Sequence, residues 1–515
     1  MASKKRYVVT HRAPTAKGKA GAEKTESDVA PLMPKDRIVR RLKSGHAVME
    51  LTPAEAAELT RNDSVIGLEE DQDLQILMPM PALGFRIEEG IARSLDFQVL
   101  AGDTQKPVED VTIFAVGNRA TYRAETGRDG KASVKVFENE LRHIILSPRA
   151  NYWSKVTAAP AFGEMTAVGL DVLQPPGPKA WPLELLGVSP GRMVATGSGV
   201  KVAVIDGGVA KHPDLVVKGG VNCLDEENPT DFQRDDDGHG THCAGIIAGR
   251  SMSAGATGVA PDVDLYSVKV FPRGKLSDLL EGIQWAVDNR MDVISMSLAM
   301  TQSSAALAEV VGAAIQRGII CVAAAGNDGG AVRYPAMIEG VIAVSAIGHL
   351  TTFPADSGHA LRVSSLANPE TGLFFGNFSS VGPEIGFCSP GVAVISTVPQ
   401  GYAAWDGTSV ACPFVAGAAA LALSAYPQLR TGDLNQMLSV REILSVSARD
   451  LRLPVELQGA GLVNAAPLQS AAAKQKDAAQ RLKSMRGKHQ ETLAELGADL
   501  AKACRQIEDM LTSTG

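Results

Sequence analysis

Apolar runs four to six residues long alternate with helically spaced apolar positions from about residue 186 to 468. Residues 200–205, 265–270, 293–296, 319–322 and 341–344 are rich in Val, Ile, Leu and Ala, as strands buried on both faces are. Residues 276–289 and 303–317 carry helical spacing between them. This alternation predicts an α/β domain, a parallel sheet flanked by helices. Earlier in the chain the period changes. Residues 95–100, 111–116, 131–137 and 143–146 are short β-branched runs, with turn signals at Gly102-Asp103 and Asp129-Gly130. They predict a small β-sandwich of antiparallel strands over 86–172, and the prolines at 175, 176 and 178 make 173–185 a stiff linker. Within residues 1–80, 47–51 and 65–68 read as strands, the second running into Glu69-Glu70-Asp71. Thr52-Pro-Ala-Glu55 reads as a helix start, with Thr52 as N-cap, Pro53 in the first turn and Glu55 completing a capping box. This is a small α+β domain. Residues 470–511 form one long amphipathic helical pattern, with Leu493, Leu500 and Ile507 seven apart and a second set at Leu482, Leu496, Ala503 and Met510. Docking on the rest of the chain and pairing with a second chain both remain open for it.

Composition narrows the classes. The 515 residues are 45% hydrophobic and 21% charged, enough for about three domains. A net charge of −7 gives no case for nucleic acid as a partner. Residues 1–45 carry 12 Lys/Arg against 4 Asp/Glu, and the Gly/Ala/Lys-rich stretch 17–26 reads as a mobile solvated loop rather than a nucleic-acid arm. The apolar stretch 413–426 has 14 residues, short of the roughly 18 needed to cross a bilayer, so no membrane span is expected. Six cysteines cannot make a disulfide scaffold. No apolar segment follows the basic start, and the expectation is a cytoplasmic chain with free thiols.

Three positions carry candidate chemistry. Asp206 ends the apolar run 202–205, at the strand edge where open α/β sheets gather functional residues. His239 lies in Asp237-Gly-His-Gly-Thr-His-Cys-Ala-Gly245, a glycine-flanked entry into a helix. Ser409 lies in Gly407-Thr-Ser-Val-Ala-Cys-Pro413, just ahead of another helix, where backbone N–H groups and the positive dipole end favour developing negative charge. A hydroxyl, an imidazole to take its proton and a carboxylate to orient the imidazole are the parts of nucleophilic hydrolysis.

In the order Asp, His, Ser these blocks resemble the subtilisin-like serine proteases (subtilases, peptidase family S8), over about residues 180–468. Further blocks carry the likeness: Gly199 to Val209 with His212-Pro-Asp-Leu215, Gly258-Val-Ala-Pro261, Ala323-Ala-Ala-Gly-Asn327, Tyr334-Pro-Ala336, Phe378-Ser-Ser380, Ser389-Pro-Gly391 and Gly459 to Asn464. The resemblance implies Ser409 as nucleophile, His239 as base then acid, Asp206 as its orienting carboxylate, and Asn327 with the Ser409 N–H as oxyanion hole. It implies Ser297, Leu298 and Ala299 as a substrate-binding edge strand, with Ala325 and Gly326 on the other wall of the specificity pocket. Departures matter here. Gly207 follows the aspartate where Ser or Thr is commoner, Val410 replaces Met, and Ala299 replaces Gly, so its methyl should restrict the P1 residue.

Cys243 lies four residues after His239, on the same helix face, as in the proteinase K-like branch; it reads as an inert buried thiol or as a modulating one. No cofactor is required. Calcium stays open, with Asp235-Asp236-Asp237 as an oxygen cluster and Gly386 where that branch has a calcium-binding aspartate. Residues 47–71 resemble the inhibitor-type propeptide of subtilases, which would place a processing bond near Leu77. The β-sandwich weakly resembles carboxypeptidase regulatory-like domains. The expectation is therefore an autoinhibited, autoprocessed serine endopeptidase acting on proteins or peptides, with the β-sandwich or C-terminal helix open to a regulatory partner. The alternative is a self-inhibited protease-fold interaction module.

Overall fold

The computed structural model describes residues 4–11, 37–61, 65–76, 91–177, 180–189, 193–225, 227–251 and 255–469. The loop 17–26, the bond near Leu77 and the helical pattern 470–511 lie outside these residues.

At the N-terminus, strands Ile38–Arg41, Ala47–Leu51, Lys5–His11 and Val65–Glu70 form one antiparallel sheet in that order. Strand periodicity sends successive side chains to opposite faces. Val9, Ala47, Met49 and Leu51 turn to one side, where Ala56 of helix Pro53–Leu59 covers them. Val8 and Val48 turn to the other and join the large core of the chain. Thr52 closes the expected capping box with Glu55. Strands Lys5–His11 and Ile38–Arg41 were not expected from the sequence: their charged ends mask a short apolar centre, and only long-range pairing makes them strands.

Residues 93–170 form two packed sheets. One runs Lys155–Thr157, Leu141–Pro148, Val111–Gly117, Thr121–Glu125; the other runs Met165–Leu170, Arg93–Ala101, Lys131–Val136. Leu95, Phe97, Val99, Ile113, Ile144 and Leu146 fill the space between them. The all-antiparallel expectation is corrected, because Met165–Leu170 runs parallel to Arg93–Ala101. Alternation reveals a strand but not its pairing direction. The linker is also corrected. Its end, Trp181–Leu186, is a helix with Pro182 in the first turn and Gly187 left-handed at φ 70, and Leu183 and Leu186 are buried.

The large mixed sheet runs Val217–Asn222, Asp264–Lys269, Lys201–Asp206, Val293–Met296, Ile320–Ala324, Ile342–His349 and Leu373–Phe375, with Ile385–Pro390 also paired to Ile342–His349. All pairs are parallel except that to Leu373–Phe375. The chain leaves Lys201–Asp206 towards one edge and later returns to its other side, a topological switch point beside Asp206. Helix Thr408–Ala425 is long and apolar enough to cross a membrane, but it is the buried central helix of this core.

Candidate active site

Asp206 is the last residue of its strand, His239 the first of helix Gly238-capped His239–Ala248, and Ser409 the second of helix Thr408–Ala425. Each is 1% exposed. Gly238 at φ 84 and Gly407 at φ 148 turn the chain into these helices in backbone states that side chains resist. The His239 Nδ1–H is held by both Asp206 oxygens, Oδ1 at 2.8 Å and Oδ2 at 2.9 Å. That bond leaves Nε2 as the proton acceptor, and Nε2 is buried with no hydrogen-bond partner among the described residues.

The loop after Asp206 is fixed by a residue that the motif search did not single out. Lys269, fully buried on the neighbouring strand, donates from Nζ to Gly207 O at 2.8 Å and to Phe271 O at 2.5 Å. Gly207 N–H donates to Asp206 Oδ1 at 2.7 Å. A Cβ at 207 would come within 3.0 Å of Asp235 Oδ1 and 3.4 Å of Asp237 Oδ1, so glycine admits two further carboxylates here. These acids serve the start of the His239 helix. Asp235 accepts from Thr241 N at 2.7 Å, Thr241 Oγ1 at 2.5 Å and Gly238 N at 3.1 Å, while Asp237 accepts from His239 N at 2.9 Å. Asp236 pairs instead with Arg234 at 2.9 Å.

Charge sets the proton affinity of His239. Burial opposes the imidazolium, but Asp206, with Asp237 and Asp235 behind it, outweighs burial and pushes the pKa from 6.5 up to about 9. Burial and the neighbouring Asp237 and Asp206 push Asp235 up to about 7. Only neutral imidazole can accept a proton, so activity should rise with pH through about 9. The stabilising charge pair has the opposite sign: it is complete below about 6.5 and is lost as pH rises through about 9. Asp237→Asn keeps the acceptor for His239 N and removes one charge, so the midpoint of kcat/KM against pH should move down. An unchanged midpoint would refute this account.

Proline shapes the backbone around Ser409. Pro413 lies inside the Ser409 helix and lacks the N–H that would bond Ser409 O four residues back. That carbonyl accepts from Ser297 Oγ at 2.7 Å and from Cys243 Sγ at 3.5 Å instead. Ser297 thus turns its hydroxyl inward to the Ser409 backbone, and Leu298–Ala299 forms the short strand beside it. Burial holds the Cys243 thiol well above its ordinary pKa, as an inert cysteine requires. Asp206, His239 and Cys243 are the one converging group of possible metal ligands among the described residues, all within 4.8 Å. An ion there would compete with the bond between Asp206 and His239.

Thr408 is the second residue that the motifs did not reveal. Asn327 Oδ1 accepts from Thr408 N and from Thr408 Oγ1, each at 2.8 Å. The hydroxyl also accepts from Gly326 N at 3.1 Å. Fixing the carboxamide oxygen fixes the opposed Nδ2 donors. Gly326 sits at φ 126, where a Cβ would meet Ser380 Oγ at 2.5 Å, and Ala325 beside it is fully buried.

The other side of Leu298–Ala299 is occupied by the chain itself. Gln75–Ile76 pairs antiparallel with it, Ile76 opposite Leu298 and Gln75 opposite Ala299. Two carboxylates from the same segment cap helices that flank the large sheet. Glu69 accepts from Ala305 N at 2.9 Å and Ala306 N at 3.0 Å, and Asp71 accepts from Ser277 N at 2.9 Å and Ser277 Oγ at 3.0 Å. Arg40 binds Asp225 at 2.7 Å and Asp278 at 2.9 Å, and Arg6 pairs with Asp71 at 3.2 Å.

The model of the subtilase family matches residues 197–464, which contain every residue of the Asp206, His239, Asn327 and Ser409 site. Subtilisin NAT of Bacillus subtilis subsp. natto is 45% identical over 242 residues, 45% of this chain and 57% of that protein. Subtilisin of Bacillus pumilus is 44% identical over 242 residues, 45% of this chain and 79% of that protein. Thermostable alkaline protease of Halalkalibacterium halodurans is 42% identical over 274 residues, 52% of this chain and 67% of that protein. The chain thus spans little more than half the length of the first of these relatives. With its sheet, its helices and its family match in agreement, the chain belongs to the subtilase family.

Proposed function

We propose that this chain is a serine endopeptidase, held inactive by its own N-terminal domain and cut by itself near Leu77. The observation that carries the reading is the buried Asp206–His239 pair, with Nε2 unpartnered among the described residues and Ser409 at the start of a buried helix. Ser409 Oγ attacks the scissile carbonyl carbon as its proton passes to His239 Nε2. The oxyanion is met by Asn327 Nδ2 and the Ser409 N–H. His239 then returns the proton to the departing amine, and water repeats the cycle to release the acid. Asp206 keeps the imidazole in the tautomer this needs.

Autoinhibition is supported by the Gln75–Ile76 strand, which takes the edge that an extended substrate would use, and by the Glu69 and Asp71 caps that hold the segment there. Ser297, Leu298, Ala299, Ala325 and Gly326 would then bind substrate backbone and P1, with the Ala299 methyl restricting P1. Calcium has no step in this mechanism, and Asp235 and Asp237 act as helix-start acceptors. The test is a fluorophosphonate probe on the purified protein. An active hydrolase should carry one label, on Ser409 by peptide mapping; a chain left unlabelled after removal of the N-terminal domain would favour the interaction-module reading.

A further inference from the structure

The connection 149–156 of the β-sandwich lies against three parts of the catalytic domain. Asn151 N donates to Tyr402 O at 2.7 Å, its Oδ1 accepts from Tyr402 N at 3.2 Å, and its Nδ2 donates to Gln400 O at 3.0 Å. Arg149 donates to the Asp236 carbonyl, three residues before His239. Val156 N donates to Asp356 O at 2.6 Å, Ser154 Oγ accepts from Gly358 N at 3.0 Å, and Lys155 pairs with Asp356 at 3.4 Å.

Trp153 meets the ring of His359 at 5.7 Å and 83°. His359, 4% exposed in the turn Gly358–Arg362, donates from Nδ1 to Asp406 Oδ1 at 2.6 Å. The same oxygen accepts from Ala393 N at 2.8 Å, and Oδ2 accepts from Arg362 Nε at 3.3 Å. Burial opposes this carboxylate, but His359, Arg362 and the Ala393 N–H hold Asp406 below its ordinary range. Asp406 immediately precedes Gly407, at the turn into the Ser409 helix. The hairpin of Val394–Val398 and Gly401–Trp405, gripped near its tip by Asn151, ends in Trp405. That ring stacks on His242 at 4.6 Å and lies nearly parallel to His239 at 6.2 Å.

A chain of direct contacts therefore runs from the sandwich to both catalytic side chains. We propose that the β-sandwich is a working part of the catalytic centre, and that His359 is a positioning residue through which Trp153 holds Asp406 and the Gly407–Ser409 backbone in the geometry of attack. The proposal rests on the reading of Ser409 as nucleophile. A spacer for the inhibitory domain would have no reason to reach behind the nucleophile, and a cut near Leu77 leaves the sandwich attached to the catalytic domain. Displacing a reacting group by about 1 Å costs on the order of 100-fold in rate.

The test uses the processed wild type and full-length variants on a fluorogenic peptide, with active sites counted by fluorophosphonate titration so that kcat refers to competent sites. His359→Ala and Trp153→Ala should lower kcat about 10- to 100-fold with KM within about two-fold. His359→Asn, whose amide can donate to Asp406 in place of Nδ1, and Trp153→Phe should recover most of that loss. Asn151→Ala, at the exposed hairpin tip, should lower kcat about three- to ten-fold, and it decides the matter if His359→Ala leaves no sites to titrate. Unchanged kcat per site in these variants, even with fewer sites, would overturn the proposal and leave the sandwich a stabilising neighbour. A wild type that neither labels nor turns over would instead overturn the hydrolase reading beneath it.

Discussion

Ser409→Ala should lower kcat on a peptide substrate about a million-fold, the scale of removing a triad serine, and should leave the chain uncut. Ser409 is 1% exposed, and its position is held through its backbone carbonyl by Ser297 and Cys243. Losing the hydroxyl therefore costs little packing, and the variant should melt within a few degrees of the wild type. Intact mass is the simplest readout: the wild type should lose a fragment ending near Leu77, while Ser409→Ala keeps its full mass. A variant cut at the same bond would assign the cut to another protease. Two uncut proteins, with a wild type that still takes the probe, would make the N-terminal domain a standing inhibitor that waits for a partner.

The contacts of that domain say how firmly it sits. Asp71 is fully enclosed between Arg6 and the Ser277 donors, and Asp278 is buried beside Arg40. Burial, against the Lys275 N–H and Arg40, pushes Asp278 up to about 6, and burial also raises Asp71. Because enclosure raises both groups above an exposed carboxylate, the docked state holds their protons more tightly, so through these two groups docking is favoured as pH falls through about 6 and opposed as they ionise. Removing one partner from such buried ion pairs is costly, because it strands the other charge.

Residues 1–45 show what the sequence could not reveal. Their excess of cations goes with a stretch that reads as a solvated loop, yet Arg6 and Arg40 pair with Asp225 and Asp278, 185 to 238 positions away in the chain. A local charge count carries no information about such partners. The buried strands of the parallel sheet were legible for the opposite reason: both faces are covered, so the apolar run is nearly continuous. Asp206, His239 and Ser409 were legible because glycines and helix starts surround them in short motifs. Thr408 lies inside the Ser409 motif and Lys269 in a separate buried strand, and the importance of each depends on the carbonyls it faces. His359 and Asp406 stand 47 positions apart, and nothing but the folded chain brings them together. The Ser297 bond was readable in principle, since Pro413 announces an unsatisfied carbonyl at Ser409.

Asn327→Ala should lower kcat by about 10²–10³ with KM within about two-fold, the loss known for an asparagine oxyanion-hole donor in a subtilisin. In the proposed mechanism the N–H groups at the start of the Ser409 helix, which point out of its N-terminus, supply one side of the hole. Asn327 Nδ2 supplies the other, aimed by Thr408, which holds the amide oxygen through two bonds of 2.8 Å. An effect on kcat alone means that the donor acts when charge develops, not when substrate binds. Asn327→Asp sharpens the test. It keeps an oxygen for Thr408 N and Oγ1 but replaces the donor by a second acceptor, so packing survives while the oxyanion meets a carboxylate. Its kcat should fall at least as far as that of Asn327→Ala. A loss below about ten-fold in both variants, or a loss carried by KM, would remove Asn327 from the oxyanion hole and leave it as a brace for Thr408.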